Sequence, residues 1–182
     1  MPDMITLATQ RLKLRPFNEH DLQNLIDLDQ DPEVMRYLGG RLTPAEKLKK
    51  ILPVLLERQT KWVNYGTWIA EELATQEAIG WFTLKPLPQL NNEYDVGYRL
   101  KKKFWGQGYA TEGAKFLVDY GFHTLKLQKI VACTDLKNLG SQKVLLKAGL
   151  TRVADIPSPF APEFIGPLIA KFEIHTDSQG HA

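Results

Sequence analysis

One cysteine, Cys133, is all the chain has in 182 residues. An internal disulfide and a cysteine metal cage are therefore excluded, and such sparse usage points to the cytoplasm. The four histidines, His20, His123, His175 and His181, are scattered without ligand spacing, so no metal is expected. No run approaches the about 18 apolar residues of a membrane span, and no apolar leader opens the chain; neither a membrane nor export is expected. Charge of one sign is also scarce. Lys and Arg number 23 against 21 Asp and Glu, a net charge of +2 that gives nucleic acid no electrostatic hold. Internal repeats and low-complexity segments are missing, as is the Gly-x-x-x-x-Gly-Lys-Ser/Thr pattern of an ATP-binding loop.

What is present is a core-forming composition, 43% hydrophobic, enough for one globular domain over residues 1–182 with a disordered tail from 177. The most informative stretch is Phe104-Trp-Gly-Gln-Gly-Tyr-Ala-Thr-Glu-Gly113, between the strand-like Val96–Leu100 and a helical pattern. A strand that turns through Gly106 and Gly108 into a helix aims several backbone N–H groups one way, at the positive end of the helix dipole. Small residues there let backbone approach a bulky anion, and a phosphate-bearing cofactor is the natural occupant.

Alternation of Leu12 and Leu14 with Arg11, Lys13 and Arg15 predicts a strand closed by Pro16. Asn18 is placed to cap a first helix. Thr43, Pro44 and Glu46 read as cap, first position and capping box of a second, whose stripe of Leu48, Ile51, Leu52, Leu55 and Leu56 contains Pro53, a residue that should kink or divide it. Strands are predicted at Thr67–Glu71, Ile79–Lys85 and Tyr94–Leu100, then a helix from Ala110 to Leu125. A buried strand at Lys129–Thr134 follows, then a helix opened by Asn138 and closed by Gly149, and finally strands at Thr151–Ile156 and Leu168–His175. This order predicts a mixed, mostly antiparallel α/β sheet, with a crossover helix joining two parallel strands and helices on both faces.

Four stretches in this order resemble the GNAT superfamily of N-acetyltransferases, in the branch that includes the ribosomal-protein N-terminal acetyltransferases. They are Thr9-Gln-Arg-Leu-Lys-Leu-Arg-Pro16; Asp31-Pro-Glu-Val-Met35; Asp95-Val-Gly-Tyr98 with Trp105-Gly-Gln-Gly-Tyr-Ala-Thr-Glu112; and Asn138-x-x-Ser141 with Lys147-Ala-Gly-Leu150. The resemblance implies a sheet splayed between the Val96–Leu100 and Lys129–Thr134 strands, with acetyl-CoA in the gap. It implies that Trp105, Gly106, Gln107, Gly108, Tyr109, Ala110 and Thr111 offer N–H groups to the pyrophosphate. Tyr98, Arg99 and Leu100 would pair with the pantetheine through their backbone, and Asn138 would bond it from the other side, with Ser141 near the sulfur. Lys101, Lys102, Lys103 and Lys143 either attract the adenosine phosphates or form an ordinary solvated face. The tyrosine that many relatives use as general acid is replaced by Leu145; Ser141 takes over, or the thiolate leaves unaided.

Amine acetylation needs a neutral amine and a group to take its proton. Asp95 is the first candidate base, two residues before Gly97, and Glu93 shares its strand face; both are equally readable as solvent-facing strand carboxylates. Trp62, Tyr65, Trp68, Trp81, Phe160 and Phe164 are either core or acceptor lining. The resemblance puts the acceptor groove between residues 35–42 and 157–167. Direct transfer to the α-amine of a protein or peptide is the leading expectation, by a monomer or homodimer. A small-molecule amine is the alternative, and a non-catalytic acyl-CoA-binding module a rival of another class.

Overall fold

Alternating apolar residues build the centre of the molecule. In the computed structural model, which describes residues 4–160 and 165–176, eight strands form one sheet in the order β1-β2-β3-β4-β5-β6-β8-β7. They are β1 (Leu7–Ala8), β2 (Leu12–Arg15), β3 (Gly66–Glu72), β4 (Ala78–Leu87), β5 (Glu93–Leu100), β6 (Lys129–Asp135), β7 (Thr151–Pro157) and β8 (Leu168–His175). Every neighbouring pair is antiparallel except β5 and β6.

Helices cover both faces, as predicted. Helices α4 (Tyr109–His123) and α5 (Leu139–Lys147) place Leu117, Val118 and Leu145 against Phe82, Leu84, Val96, Ile130 and Phe172, all buried. On the other face α1 (Leu22–Asp29) and α3 (Ala45–Lys61) bury Leu25, Leu48 and Leu52 over Ile69, with Trp81 packed beside them. The short α2 (Pro32–Met35) lies between them in sequence, capped by Asp31, whose carboxylate accepts from the N–H groups of Glu33 and Val34. No helix among the described residues is long and apolar enough to cross a membrane.

Three local expectations change. Asn18 does cap, but it starts a 3-10 turn at Glu19–Asp21 before α1. Thr43 is not the side-chain cap of α3. Its hydroxyl donates to Asp29 Oδ2 at 2.9 Å, and α3 starts after Pro44 with no side-chain cap bond. Pro53 does not divide α3, which is continuous from Ala45 to Lys61. The lost backbone bond costs ~3 kcal/mol, but apolar residues on both sides of Pro53 hold the two halves to one surface: Leu48, Ile51 and Leu52 before it, Leu55 and Leu56 after. Gly149 closes α5 as predicted: with φ +99°, it lets Gly149 N–H donate to Leu146 O and Leu150 N–H to Leu145 O. The expected disordered tail lies outside the described residues.

Candidate active site

The parallel β5–β6 ladder is short. Tyr94 pairs with Ile130 and Asp95 with Val131, and no further pair forms as the strands run on. From Val96 to Leu100, β5 stays bonded to β4 on its other side, while β6 stays bonded to β8 through Asp135. The sheet therefore opens into a fork lined by backbone groups that need partners. This is the splay expected between these two strands.

At the wide end of the fork the chain turns into α4. Gly106 and Gly108 hold φ +74° and +84°, a region that costs other residues energy, and a Cβ on Gly106 would meet nothing within 4 Å. The backbone N–H of Trp105 is already engaged with Lys102 O at 3.0 Å, so the donors open to an anion begin at Gly106 rather than at Trp105. Those of Tyr109, Ala110 and Thr111 belong to the first helical turn, where no intrahelical acceptor exists. The Trp105 indole instead donates to Leu100 O at 2.8 Å and closes the end of β5. The Tyr109 side chain is buried and its hydroxyl donates to Glu72, so only its backbone faces the loop.

Sequence reasoning missed what holds this loop. Glu112, in the first turn of α4, accepts from Thr9 Oγ1 at 2.5 Å, from the Arg11 backbone N–H at 2.8 Å and from Arg11 Nε at 2.6 Å. Arg11 also donates to Gln107 O at 3.0 Å and lies 4.3 Å from the centre of the Tyr109 ring. The N-terminal strands thus brace the glycine turn through a guanidinium. The signal was present as the Thr9–Pro16 stretch, without a role attached.

On the opposite arm of the fork Asn138 caps α5, its Oδ1 accepting from Ser141 N–H at 3.0 Å. Tyr98 crosses from β5 to meet it: its hydroxyl lies 3.0 Å from Ser141 Oγ and donates to Ser141 O at 3.2 Å. Burial pushes the Tyr98 phenol up to about 12 despite the Ser141 bond. Expected to act through its backbone, Tyr98 therefore also reaches Ser141 with its side chain. Leu145, which the resemblance put in place of a tyrosine general acid, is core. Lys143 is exposed on α5. Lys101, Lys102 and Lys103 pair with Asp27, Glu33 and Glu77 respectively, so a carboxylate already faces each of the three lysines considered for phosphate attraction.

The other sheet face, under α1–α3, carries Glu93, Asp95, Gly97 and Arg99 in alternation. Half-buried Asp95 sits at the point of the fork, and burial pushes its carboxyl up to about 7, against the pull of Lys85 across the strand pair. Glu93 differs. Burial raises it too, but ion pairs with Lys129 and with Lys171 at 2.8 Å outweigh burial and hold it below the usual carboxylate range. The Cys133 thiol is pushed up to about 12, chiefly by burial. Arg99 pairs with Asp29 and lies 5.1 Å over the Trp81 ring. Of the other aromatics, Trp68 is core, donating to Ile5 O at 2.8 Å, and Trp62 and Tyr65 stack on each other; Phe164 lies outside the described residues.

Beyond the fork a cavity of about 500 Å³ opens between Arg36, Tyr37 and Gly39 on one side and Asp135, Lys137 and Gly166 on the other. It lies where the acceptor groove was expected. Among the described residues no cluster of His, Cys, Asp and Glu has the makings of a metal site.

Comparison with known proteins gives the family. Residues 11–151 match the acetyltransferase (GNAT) domain model. The chain is 35% identical over 156 residues to the FsC-acetyl coenzyme A-N(2)-transacetylase of Aspergillus fumigatus, covering 81% of this chain and 66% of that one, just under two thirds of its length. Two solved structures share the fold at 16% identity. Ribosomal-protein-S5-alanine acetyltransferase from Vibrio fischeri superposes with TM-score 0.74 over 95% of this chain and 97% of its own. Spermidine N-acetyltransferase from Vibrio cholerae, in complex with CoA and spermine, gives 0.73 over 92% and 97%. The family match runs from the arginine that braces the loop to the first residue of β7, and so takes in both arms of the fork. The chain belongs to the GNAT family and is an N-acetyltransferase.

Proposed function

We propose that the protein transfers acetyl directly from acetyl-CoA to a primary amine, in the first place the α-amine of a peptide or protein, and that residues 1–182 act as one catalytic domain in the cytoplasm. The observation that carries this reading is the parting of β5 from β6 after the Asp95–Val131 pair, with a carboxyl of pKa about 7 at the point where they part. The residues fit a CoA thioester. Unpaired backbone on both arms suits an extended amide-bearing chain, and the glycine-shaped turn suits a pyrophosphate.

The thioester supplies an activated acetyl group. Everything else comes from the chain. N–H groups from Gly106 to Thr111 hold the diphosphate, and the β5 edge from Val96 to Leu100, whose last carbonyl Trp105 already holds, orients the acyl end. A backbone N–H of that edge faces the oxygen on which charge develops. Asp95 takes the amine proton, directly or through water. A base near pKa 7 is well matched to an α-ammonium of about 7.7–8.0, whereas a lysine or polyamine amine near 10.4 adds roughly 4 kcal/mol to that transfer. Glu93, clamped by two lysines, is the weaker base. Ser141, held between Asn138 and Tyr98, is placed to donate to the departing thiolate. Cys133, kept protonated, forms no acyl-enzyme. The spermidine acetyltransferase among the structural neighbours supports a small-molecule amine as the second reading.

Calorimetric titration tests the reading. Acetyl-CoA should bind in the micromolar range and ATP should not, and Gly108→Trp should abolish binding. Near-normal affinity in that variant would remove the loop assignment. Acetyl-CoA binding without turnover on any amine would favour a non-catalytic acyl-CoA module.

A further inference from the structure

The cavity beyond the fork carries information about the acceptor that neither of its walls holds alone. Residues 35–42 carry two arginines and no acid, and of these Arg36 lines the cavity; the opposite wall brings Lys137 from the β6–α5 link. Neither cation has a carboxylate at ion-pairing distance among the described residues; Arg36 lies 5.4 Å over the Tyr37 ring. The one acid among the wall's described residues, Asp135, already accepts the Lys137 backbone N–H through Oδ1 at 2.8 Å. Counting four residues on from the Asp95–Val131 pair brings Arg99 and Asp135 to the same level on the same face, one on each arm of the fork. Arg99 Nε is buried without a hydrogen-bond partner among the described residues. A buried donor of this kind is costly unless something accepts from it. The wall itself is held: Asp29 takes Arg99, and accepts the Thr43 hydroxyl on its carboxylate and the Thr43 N–H on its carbonyl, which fixes both ends of the segment carrying Arg36.

Cationic donors without an anion among the described residues, around a space for the acceptor, suit a negatively charged group and repel a polycation. Resting on the function proposed above, we infer that the acceptor is an α-amine with a carboxylate next to it, either its own or that of an acidic residue at the second position of a peptide, received by Arg36 and Lys137. A polyamine would meet two like charges and one acid that is already engaged.

The test uses the full chain and three tetrapeptide amides that differ only at the second residue, Ser-Asp, Ser-Asn and Ser-Lys, together with free serine and serine amide. Product is counted by mass spectrometry. The wild type should favour Ser-Asp over Ser-Asn by about tenfold in kcat/KM, and Ser-Lys should fall below both. Serine against its amide shows whether a carboxylate on the same residue serves equally. Lys137→Glu and, as a second variant, Arg36→Glu should each turn the preference toward Ser-Lys, with melting temperatures confirming that both fold. Equal rates on all three peptides together with no preference for serine over its amide, or a preference for Ser-Lys, would overturn the inference and leave amine acetylation intact. No acetylation of any amine despite acetyl-CoA binding would overturn both.

Discussion

Lys85 and Asp95 face each other on neighbouring antiparallel strands, so their side chains start about 5 Å apart. No ion pair closes between them within 4 Å, yet each feels the other. Burial depresses Lys85 while Asp95 raises it, and burial raises Asp95 while Lys85 lowers it. The other ionisable groups turned to this spot are Glu93 on β5, Cys133 on β6, Arg58 from α3 and Lys171 on β8. Of these, Glu93 and Lys171 neutralise each other in one network. The Lys85 charge is thus what keeps Asp95 from climbing further above 7. The sign follows directly. Lys85→Met removes a charge that favours the carboxylate, so Asp95 stays protonated to higher pH. The acid limb of kcat/KM should move to higher pH by about 0.5–1, and Lys85→Arg should hold it in place. Comparing variants on one peptide cancels the amine's own titration. An unmoved limb would make Lys85 a packing residue only. Asp95 and Glu93 were indistinguishable as sequence, because both are strand carboxylates two residues apart. Their difference comes from Lys129 and Lys171, which two other strands deliver.

The glycine turn is shaped less by its own residues than by the strand that leans on it. Gly106 and Gly108 permit the path; Arg11 fixes it, through Gln107 O and Glu112. A Cβ at Gly108 would come within 3.3 Å of the Arg11 guanidinium, so the two fit each other closely. Burial raises Glu112, but Thr9 and Arg11 outweigh burial and hold its carboxyl low, so the latch stays ionic at neutral pH. Arg11→Met should therefore raise the acetyl-CoA dissociation constant about tenfold while kcat changes far less, and Arg11→Lys should restore only part of the affinity, because it cannot serve both partners with a fork of donors. Affinity unchanged in Arg11→Met, measured by calorimetry, would show that the loop holds its shape unaided. The glycines and their place before a helix were readable from spacing. The brace was not, because Arg11 and Gln107 lie 96 residues apart and only the fold brings them together.

Across the whole molecule, the order of strands and helices was readable because apolar alternation, caps and glycines act locally. The fork was foreseen through resemblance rather than from the pattern of the two strands. Nothing in the composition of Val96–Leu100 and Lys129–Thr134 forbids pairing along their length; the helices that meet at the fork, α4 packed on β5 and α5 on β6, also pack on one another. The long-range arrangement around the cavity, Arg99 paired with Asp29 and Arg36 across from Lys137, left no trace in local composition. The same division explains how the molecule should respond to cofactor. One block of sheet runs from β1 to β5 and the other holds β6, β8 and β7; among the described residues the only ladder between them is the two-pair β5–β6 contact. A ligand that bonds both free edges supplies the missing ladder and should lower the exchange of amides that have no partner without it. Hydrogen exchange with saturating acetyl-CoA should slow at Val96–Leu100 and around Ala132–Asp135 together, by about tenfold or more, with a smaller change in the exposed β7. Protection confined to Gly106–Thr111 would mean that the ligand is held by its phosphates alone and that the fork is a rigid scaffold rather than a seat. Protection on both arms would make the cofactor a structural part of the sheet, so that the acceptor cavity at the end of the fork is complete only in the loaded enzyme.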